Sequence, residues 1–294
     1  MRSIGLSIGL LFSLLAYGQD TSTPKTLIPL FVTDTSRHHQ PVASLTPAAL
    51  AVTDNRVTIT APSLLTGGTL PLELGVLIDT SNSEGASRTF AAALKAASDF
   101  VMDSLRTGDD RVFSEPFDAK PHMTAWLKKE DFGRAPLQLR VGGGTALYDA
   151  IAAACTERMS NRDWKKPTRR VLIVISDGDD NLSSITRGEA VSFAVAKGVV
   201  IFAVGTRPAP LGRGRGEKIL EAITEATGGR AFVGLSEAEV PQVFARIRAL
   251  MEGIYYLSYV PPEPDKVADH ELVIKPALGS KFQLSYPSKY PWNP

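Results

Sequence analysis

Asp79-Thr80-Ser81-Asn82-Ser83 follows the apolar run Leu74-Gly75-Val76-Leu77-Ile78, which sets a carboxylate and two hydroxyls at i, i+2 and i+4 where a buried strand ends. Oxygen donors converging on one turn suit a hard divalent cation, Mg²⁺ foremost with Mn²⁺ or Ca²⁺ as alternatives, rather than a metal that prefers thiolate. Two more oxygen-bearing residues stand in comparable places downstream. Thr145 closes Gly142-Gly143-Gly144-Thr145, and Asp177 follows a second apolar run, Val171 to Ser176, and precedes Gly178. Taken singly, each piece has an ordinary reading: Asp79–Ser83 as a helix N-cap, Asp177-Gly178 as a turn. In this order, each at a strand end or in a glycine-rich loop, they form a candidate metal set of Asp79, Ser81, Ser83, Thr145 and Asp177.

The elements that must hold these residues are legible in hydrophobic periodicity. From Leu72 onward, strands predicted at 73–79, 111–117, 170–176, 199–205 and 230–233 alternate with helices predicted at 86–105, 146–159, 187–196, 218–226 and 240–251. A short edge strand is expected at 121–127. Strands that are apolar nearly throughout, and alternate with helices, imply an α/β fold with a doubly wound, mostly parallel sheet covered on both faces. The flanks have β texture instead. Strands are predicted at 27–34 and 50–57, with a turn at 36–41, and again at 255–260, 271–276 and 281–286; the tail from 287 to 294 is expected to be extended. Three strands need something to pack on. The two flanks should therefore form one small β module, with the α/β domain (70–252) inserted between an N-terminal unit (25–66) and C-terminal strands (254–290).

Composition narrows the function classes. The 294 residues are 44% hydrophobic and 21% charged, a globular balance with a sizeable core. A net charge of +1 offers no global attraction for nucleic acid or an anionic membrane, and neither partner is expected. Arg2, the apolar stretch 4–15 and Ala16-Tyr17-Gly18 read as a signal peptide over 1–18, implying export to the periplasm or beyond the cell. That stretch is too short to span a bilayer comfortably and no other segment is long enough, so no stable membrane insertion is expected. No cysteine follows it to carry a lipid. The single cysteine, Cys155 in an alanine-rich helix, reads as a small buried residue without a disulfide partner.

The order Asp-x-Ser-x-Ser, then Thr, then Asp-Gly resembles the metal-ion-dependent adhesion site of von Willebrand factor A-type (VWA) domains, with no position missing. The whole layout also resembles the bacterial VWFA-related domain proteins of acidobacterial type. Leu27–Val57 matches their leader, Gly143-Gly144-Thr145-Ala146-Leu147-Tyr148-Asp149-Ala150 their threonine loop, and Tyr255-Tyr256-Leu257-Ser258-Tyr259-Val260-Pro261 their exit strand. The resemblance is strong from Leu72 to Pro261 and weaker outside. It implies that Ser81, Ser83 and Thr145 supply hydroxyl oxygens while Asp79 and Asp177 hold the ion directly or through water. The implied role is protein binding, with the ion accepting a Glu or Asp carboxylate from a partner.

Other chemistries fit the residues less well. A haloacid dehalogenase-type phosphatase would want an Asp where this chain has Ser81, and Gly142-Gly143-Gly144 lacks the spacing and lysine of a phosphate-binding loop. His38, His39, His122 and His270 show no zinc-ligand spacing. A metal-dependent hydrolase using Asp79 and Asp177 lacks an evident nucleophile or base, so no enzyme is expected. Asp179 and Asp180 beside the site read as caps of the following helix, as solvated side chains, or as extra carboxylates that raise cation affinity or favour Ca²⁺. The loop from Thr206 to Gly216 should emerge on the metal-bearing face, where Arg207, Arg213 and Arg215 either meet an acidic partner surface or belong to a flexible solvated loop. Two functions remain: an exported metal-dependent adhesion or assembly module, or an envelope scaffold whose metal only stabilises the fold.

Overall fold

The computed structural model describes residues 25–35, 41–84, 87–106, 108–133, 139, 142–160, 166–207 and 214–292. Residues 1–18, read above as a signal peptide, the 36–40 stretch with His38 and His39, and Arg213 lie outside the described residues. Five parallel strands make the central sheet: β5 (Leu72–Asp79), β6 (Arg111–Phe117), β7 (Arg169–Ser176), β8 (Val199–Gly205) and β9 (Arg230–Phe232), in the order β6-β5-β7-β8-β9. The chain runs outward from β5 to β6, then crosses back to β7 on the other side of β5. That reversal is the topological switch point at which open α/β sheets bind ligands. Residues 121–127 run antiparallel beside β6, bonded through Leu127 to Val112 and through His122 to Pro116, as an irregular edge.

Period-two alternation sorts each strand between two cores. Val171, Ile173 and Ile175 of β7 pack with helices α1 (Arg88–Ser104) and α6 (Val240–Glu252), where Phe100 meets Phe244 at 5.4 Å between ring centroids. Leu172 and Val174 face the other layer, built by α3 (Leu147–Ala153), α4 (Arg187–Ala196) and α5 (Arg215–Ala226). A four-residue helix, α2 (Lys129–Phe132), lies by β6. The helix expected at 146–159 is α-helical only to Ala153 and widens to π-helix over Ala154–Arg158, with Cys155 fully buried.

Two antiparallel four-stranded sheets flank this body and interleave the chain's two ends. One has the order β12-β1-β10-β4, from Phe282–Ser285, Ile28–Asp34, Tyr255–Ser258 and Ser63–Thr66. The other is β13-β11-β2-β3, from Lys289–Trp292, Ala268–Pro276, Leu50–Asp54 and Val57–Thr58. Leu30, Val32, Val52, Leu257, Leu272, Ile274 and Trp292 form their shared core. The α/β body is thus inserted into a small β module, as the flanking strand patterns predict. Two expectations are corrected, and one strand is new. The strand expected over 50–57 breaks into a hairpin at Asn55-Arg56, both at positive φ (47° and 67°), where asparagine is tolerated and arginine is strained. Ser63–Thr66 forms a strand although its sequence lacks a clear alternation. The tail is not simply extended: Lys289–Trp292 pairs with β11 and buries Tyr290 and Trp292.

Candidate metal centre

Asp79 is the last residue of β5 and is fully buried. Its Oδ1 accepts the Ser81 N–H at 3.0 Å and its Oδ2 the Ser176 hydroxyl at 2.6 Å, so the carboxylate is oriented from both sides. Past Asp79 the chain turns tightly. Thr80 donates its N–H to the Phe117 carbonyl, Ser81 and Ser83 share a hydroxyl–hydroxyl bond at 3.0 Å, and the Glu84 N–H returns to the Ser81 carbonyl.

The threonine loop is sewn to this turn: Gly142 donates to the Thr80 carbonyl at 2.8 Å, and Asn82 donates to the Gly143 carbonyl at 3.3 Å. Gly143 adopts φ 86°, a left-handed conformation suited to glycine. Thr145, nearly buried, is fixed from the third loop. Its N–H donates to the Asn181 side-chain oxygen at 2.9 Å, and its carbonyl accepts the N–H groups of Asn181 and Leu182. Asp177 is half-buried just after β7 and its Oδ1 accepts the Asp179 N–H. The turn packs on the start of α5 with almost no clearance: a Cβ on Gly178 would lie 2.3 Å from the Gly216 carbonyl oxygen, and one on Gly216 2.3 Å from that of Asp177.

Glu84, absent from the sequence-based set, joins these residues. Carboxylate oxygens of Asp79, Glu84 and Asp177 lie within 4.8 Å of one another. Ligands on opposite sides of Mg²⁺ sit about 4.2 Å apart and around Ca²⁺ about 5 Å, so one cation fits this spacing. Burial, opposed by the Ser176 and Ser81 hydrogen bonds, pushes the Asp79 carboxyl up to about 6. Burial likewise pushes Glu84 up to about 8 against the Thr206 hydrogen bond, with the charges of Asp79 and Asp177 raising it further. Among the described residues no lysine or arginine pairs with any of the three. Crowded, buried, hard-oxygen acids without a counter-charge are what a divalent cation neutralises.

Glu84 was concealed by its own local pattern. Ser81-x-x-Glu84 has the form of a helix capping box, but the cap of α1 is Ser87, whose hydroxyl accepts the Phe90 N–H. Asp180 does not cap the helix after it, α4. It accepts the Tyr148 N–H at 3.2 Å in the first turn of α3, and Asp179 is exposed. Two of the three arginines lie among the described residues. Arg207 lies over Gly214, with Nη1 2.7 Å from where a Cβ there would sit. Arg215 is the first residue of α5, which starts three residues before its predicted onset, and lines a cavity of about 760 Å³ with Arg187, Lys218 and Tyr148.

No known family model matches this chain, and no curated protein matches it. Solved structures do. Proximal thread matrix protein 1 of the mussel byssus superposes with a TM-score of 0.50 at 16% identity, covering 76% of this chain and 50% of that one. A structure of the same mussel protein with a zinc-occupied metal-ion-dependent adhesion site gives a TM-score of 0.53 at 17% identity over 67% of this chain and 50% of that one. This chain therefore spans half the length of the mussel chain. A von Willebrand factor type A protein from Catenulispora acidiphila aligns over 93% of this chain and 75% of its own, at 16% identity and a TM-score of 0.49. With its parallel sheet between two helical layers, the inserted α/β body has the fold of a von Willebrand factor A-type domain.

Proposed function

We propose that this chain is a metal-dependent protein-binding module that acts after export, in adhesion or assembly, and carries out no catalytic step. The observation that carries the reading is the convergence of Asp79 and Asp177, with Ser81, Ser83 and Thr145 on three cross-bonded loops, at the switch point of the sheet. Asp79, Ser81, Ser83, Thr145 and Asp177 would hold the ion, Mg²⁺ in the first place, on oxygen donors alone. When bound, the cation supplies an electrophilic position for a Glu or Asp carboxylate of the partner. The zinc-occupied adhesion site in the mussel protein of like fold supports this reading.

The chain's own residues do the rest. Ser176 and the Ser81 N–H aim the Asp79 carboxylate, and the Gly142–Thr80 and Asn82–Gly143 bonds hold the threonine loop against the serine turn. Such prior positioning lowers the ordering cost of capturing a ligand. The half-buried Asp177 lies nearer to solvent than Asp79. Among the described residues no helix is long and apolar enough to cross a membrane.

Asp79→Ala tests the reading. Calorimetry with Mg²⁺ and Mn²⁺ should show binding to the wild type and none to the variant, with the far-ultraviolet circular dichroism of both alike. Unchanged metal affinity in the variant refutes the site. Capture of a partner from the envelope fraction should disappear with EDTA. Chelation that lowers only the melting temperature would point to a scaffold stabilised by its metal.

A further inference from the structure

Glu84 lies outside the Asp-x-Ser-x-Ser pattern yet stands among its residues. It is 1% exposed, and its Oε1 is held by donors from the ends of two neighbouring strands: the Asp177 N–H at 2.9 Å and the Thr206 hydroxyl at 2.5 Å. Its Oε2 takes part in no hydrogen bond among the described residues. A carboxylate oxygen of this side chain falls within 4.8 Å of oxygens of both Asp79 and Asp177, inside the span of a single cation's ligand shell.

Resting on the metal-bridge reading above, we propose that Glu84 is an internal carboxylate ligand occupying the coordination position that a partner's acid would take. The chain thereby carries its own competitor for partner binding. Charge sets this competition. A divalent cation held by Asp79 and Asp177 alone is neutralised, and its remaining positions hold water that a third carboxylate can replace. With Glu84 in place the set carries one net negative charge, and a further carboxylate meets repulsion in a buried crevice where screening is weak. A partner's acid must displace Glu84 rather than water. The two donors on Oε1 keep the displaced side chain hydrogen-bonded. Retention of the ion and capture of a partner are then opposed through this one residue: the third carboxylate strengthens the first and weakens the second.

The test uses Mn²⁺ as the metal and acetate as the carboxylate probe, with water-proton relaxation reporting the exchangeable waters on bound Mn²⁺. Glu84→Gln preserves the shape and an acceptor for the Asp177 N–H. It should bind Mn²⁺ about tenfold more weakly, show relaxation raised by one added water, and let acetate displace that water at about tenfold lower concentration than in the wild type. A residue that merely latches the loops would alter the melting temperature and leave hydration and acetate response as they were; that result overturns the proposal while the metal site stands. Failure of the wild type to bind Mn²⁺ overturns both. Should Glu84→Gln not fold, the wild type alone decides, because acetate displacing water from its Mn²⁺ as readily as from aqueous Mn²⁺ would refute an internal competitor.

Discussion

Two buried clusters built around acids, one in the β module and one at the switch point of the parallel sheet, differ in how the acid's charge is met. In the β module Asp54 is fully buried, yet three ring donors serve it: His270 Nδ1 at 2.8 Å on Oδ1, and the hydroxyls of Tyr259 at 3.0 Å and Tyr290 at 2.6 Å on Oδ2. The His270 and Tyr290 rings stack at 5.0 Å, so the donors also brace one another. At the sheet's switch point three acids crowd one another, and Asp79 and Glu84 have only neutral hydroxyl and amide donors. Burial alone does not distinguish a structural acid from a binding one. The distinction lies in whether the neighbours complete the carboxylate or leave its charge to something absent from the chain. Glu73, held between Arg111 and Arg170, belongs with Asp54.

The comparison is broken most severely by ending the chain at Gly253. That removes three of Asp54's partners and strips β1 and β4 of the strand between them. Exposed strand edges and apolar surface should make the shortened chain aggregate. A soluble monomer whose N-terminal strands still resist protease would show that the two ends are independent.

Asp54→Ala is the next largest effect. It leaves His270, Tyr259 and Tyr290 without their shared acceptor and should cost about 3–5 kcal/mol in urea unfolding, with Mn²⁺ affinity unaltered. If it instead abolished metal binding, the two clusters would not be separate.

The switch-point acids should respond in the opposite manner. Mg²⁺ at a hundred times its dissociation constant should stabilise the wild type by about 2.7 kcal/mol and Asp79→Asn not at all. Differential scanning calorimetry with Mg²⁺ against EDTA reads this directly, and an equal gain in both proteins would contradict the assignment.

Glu115 sharpens the contrast as a third kind of buried acid. Among the described residues both its oxygens lack a hydrogen-bond partner, and burial, with the nearby Glu157 adding and Arg158 opposing, pushes its carboxyl up to about 9. Unfolded, it ionises near 4.5, so between these values the folded chain keeps a proton that the unfolded chain has released. Its contribution is fully present below the unfolded value and is lost as pH rises towards the folded one. Glu115→Gln, neutral at every pH, should gain about 2 kcal/mol on the wild type between pH 5.5 and 7, measured by urea unfolding in EDTA. A constant difference would show that Glu115 has a partner after all.

Much of the fold was legible because its signals are local. The runs 73–79, 170–176 and 199–205 are apolar nearly throughout, which only a sheet covered on both faces requires, and the observed strands match them within a residue or so. Ser63–Thr66 and Lys289–Trp292 carry no such pattern. They become strands only by pairing, Ser63–Thr66 with β10 far away in sequence and Lys289–Trp292 with the preceding β11. The start of α5 was misplaced for a similar reason: Gly214-Arg215-Gly216 reads as loop, but close packing of Gly216 on the Asp177-Gly178 turn holds it helical.

Residue types and spacing by themselves determined the candidate metal set. Hard oxygens at i, i+2 and i+4 after a buried strand, with a threonine loop and a second strand-end acid, are properties of short segments. Tertiary structure decided what those segments cannot encode. It turned Glu84 inward, gave Asp54 its three donors, and set Arg207 over Gly214 and Arg215 in a helix. The physical reason is that the state of a buried acid depends on which distant groups the folded chain brings within hydrogen-bond range, and that distance is absent from any local window.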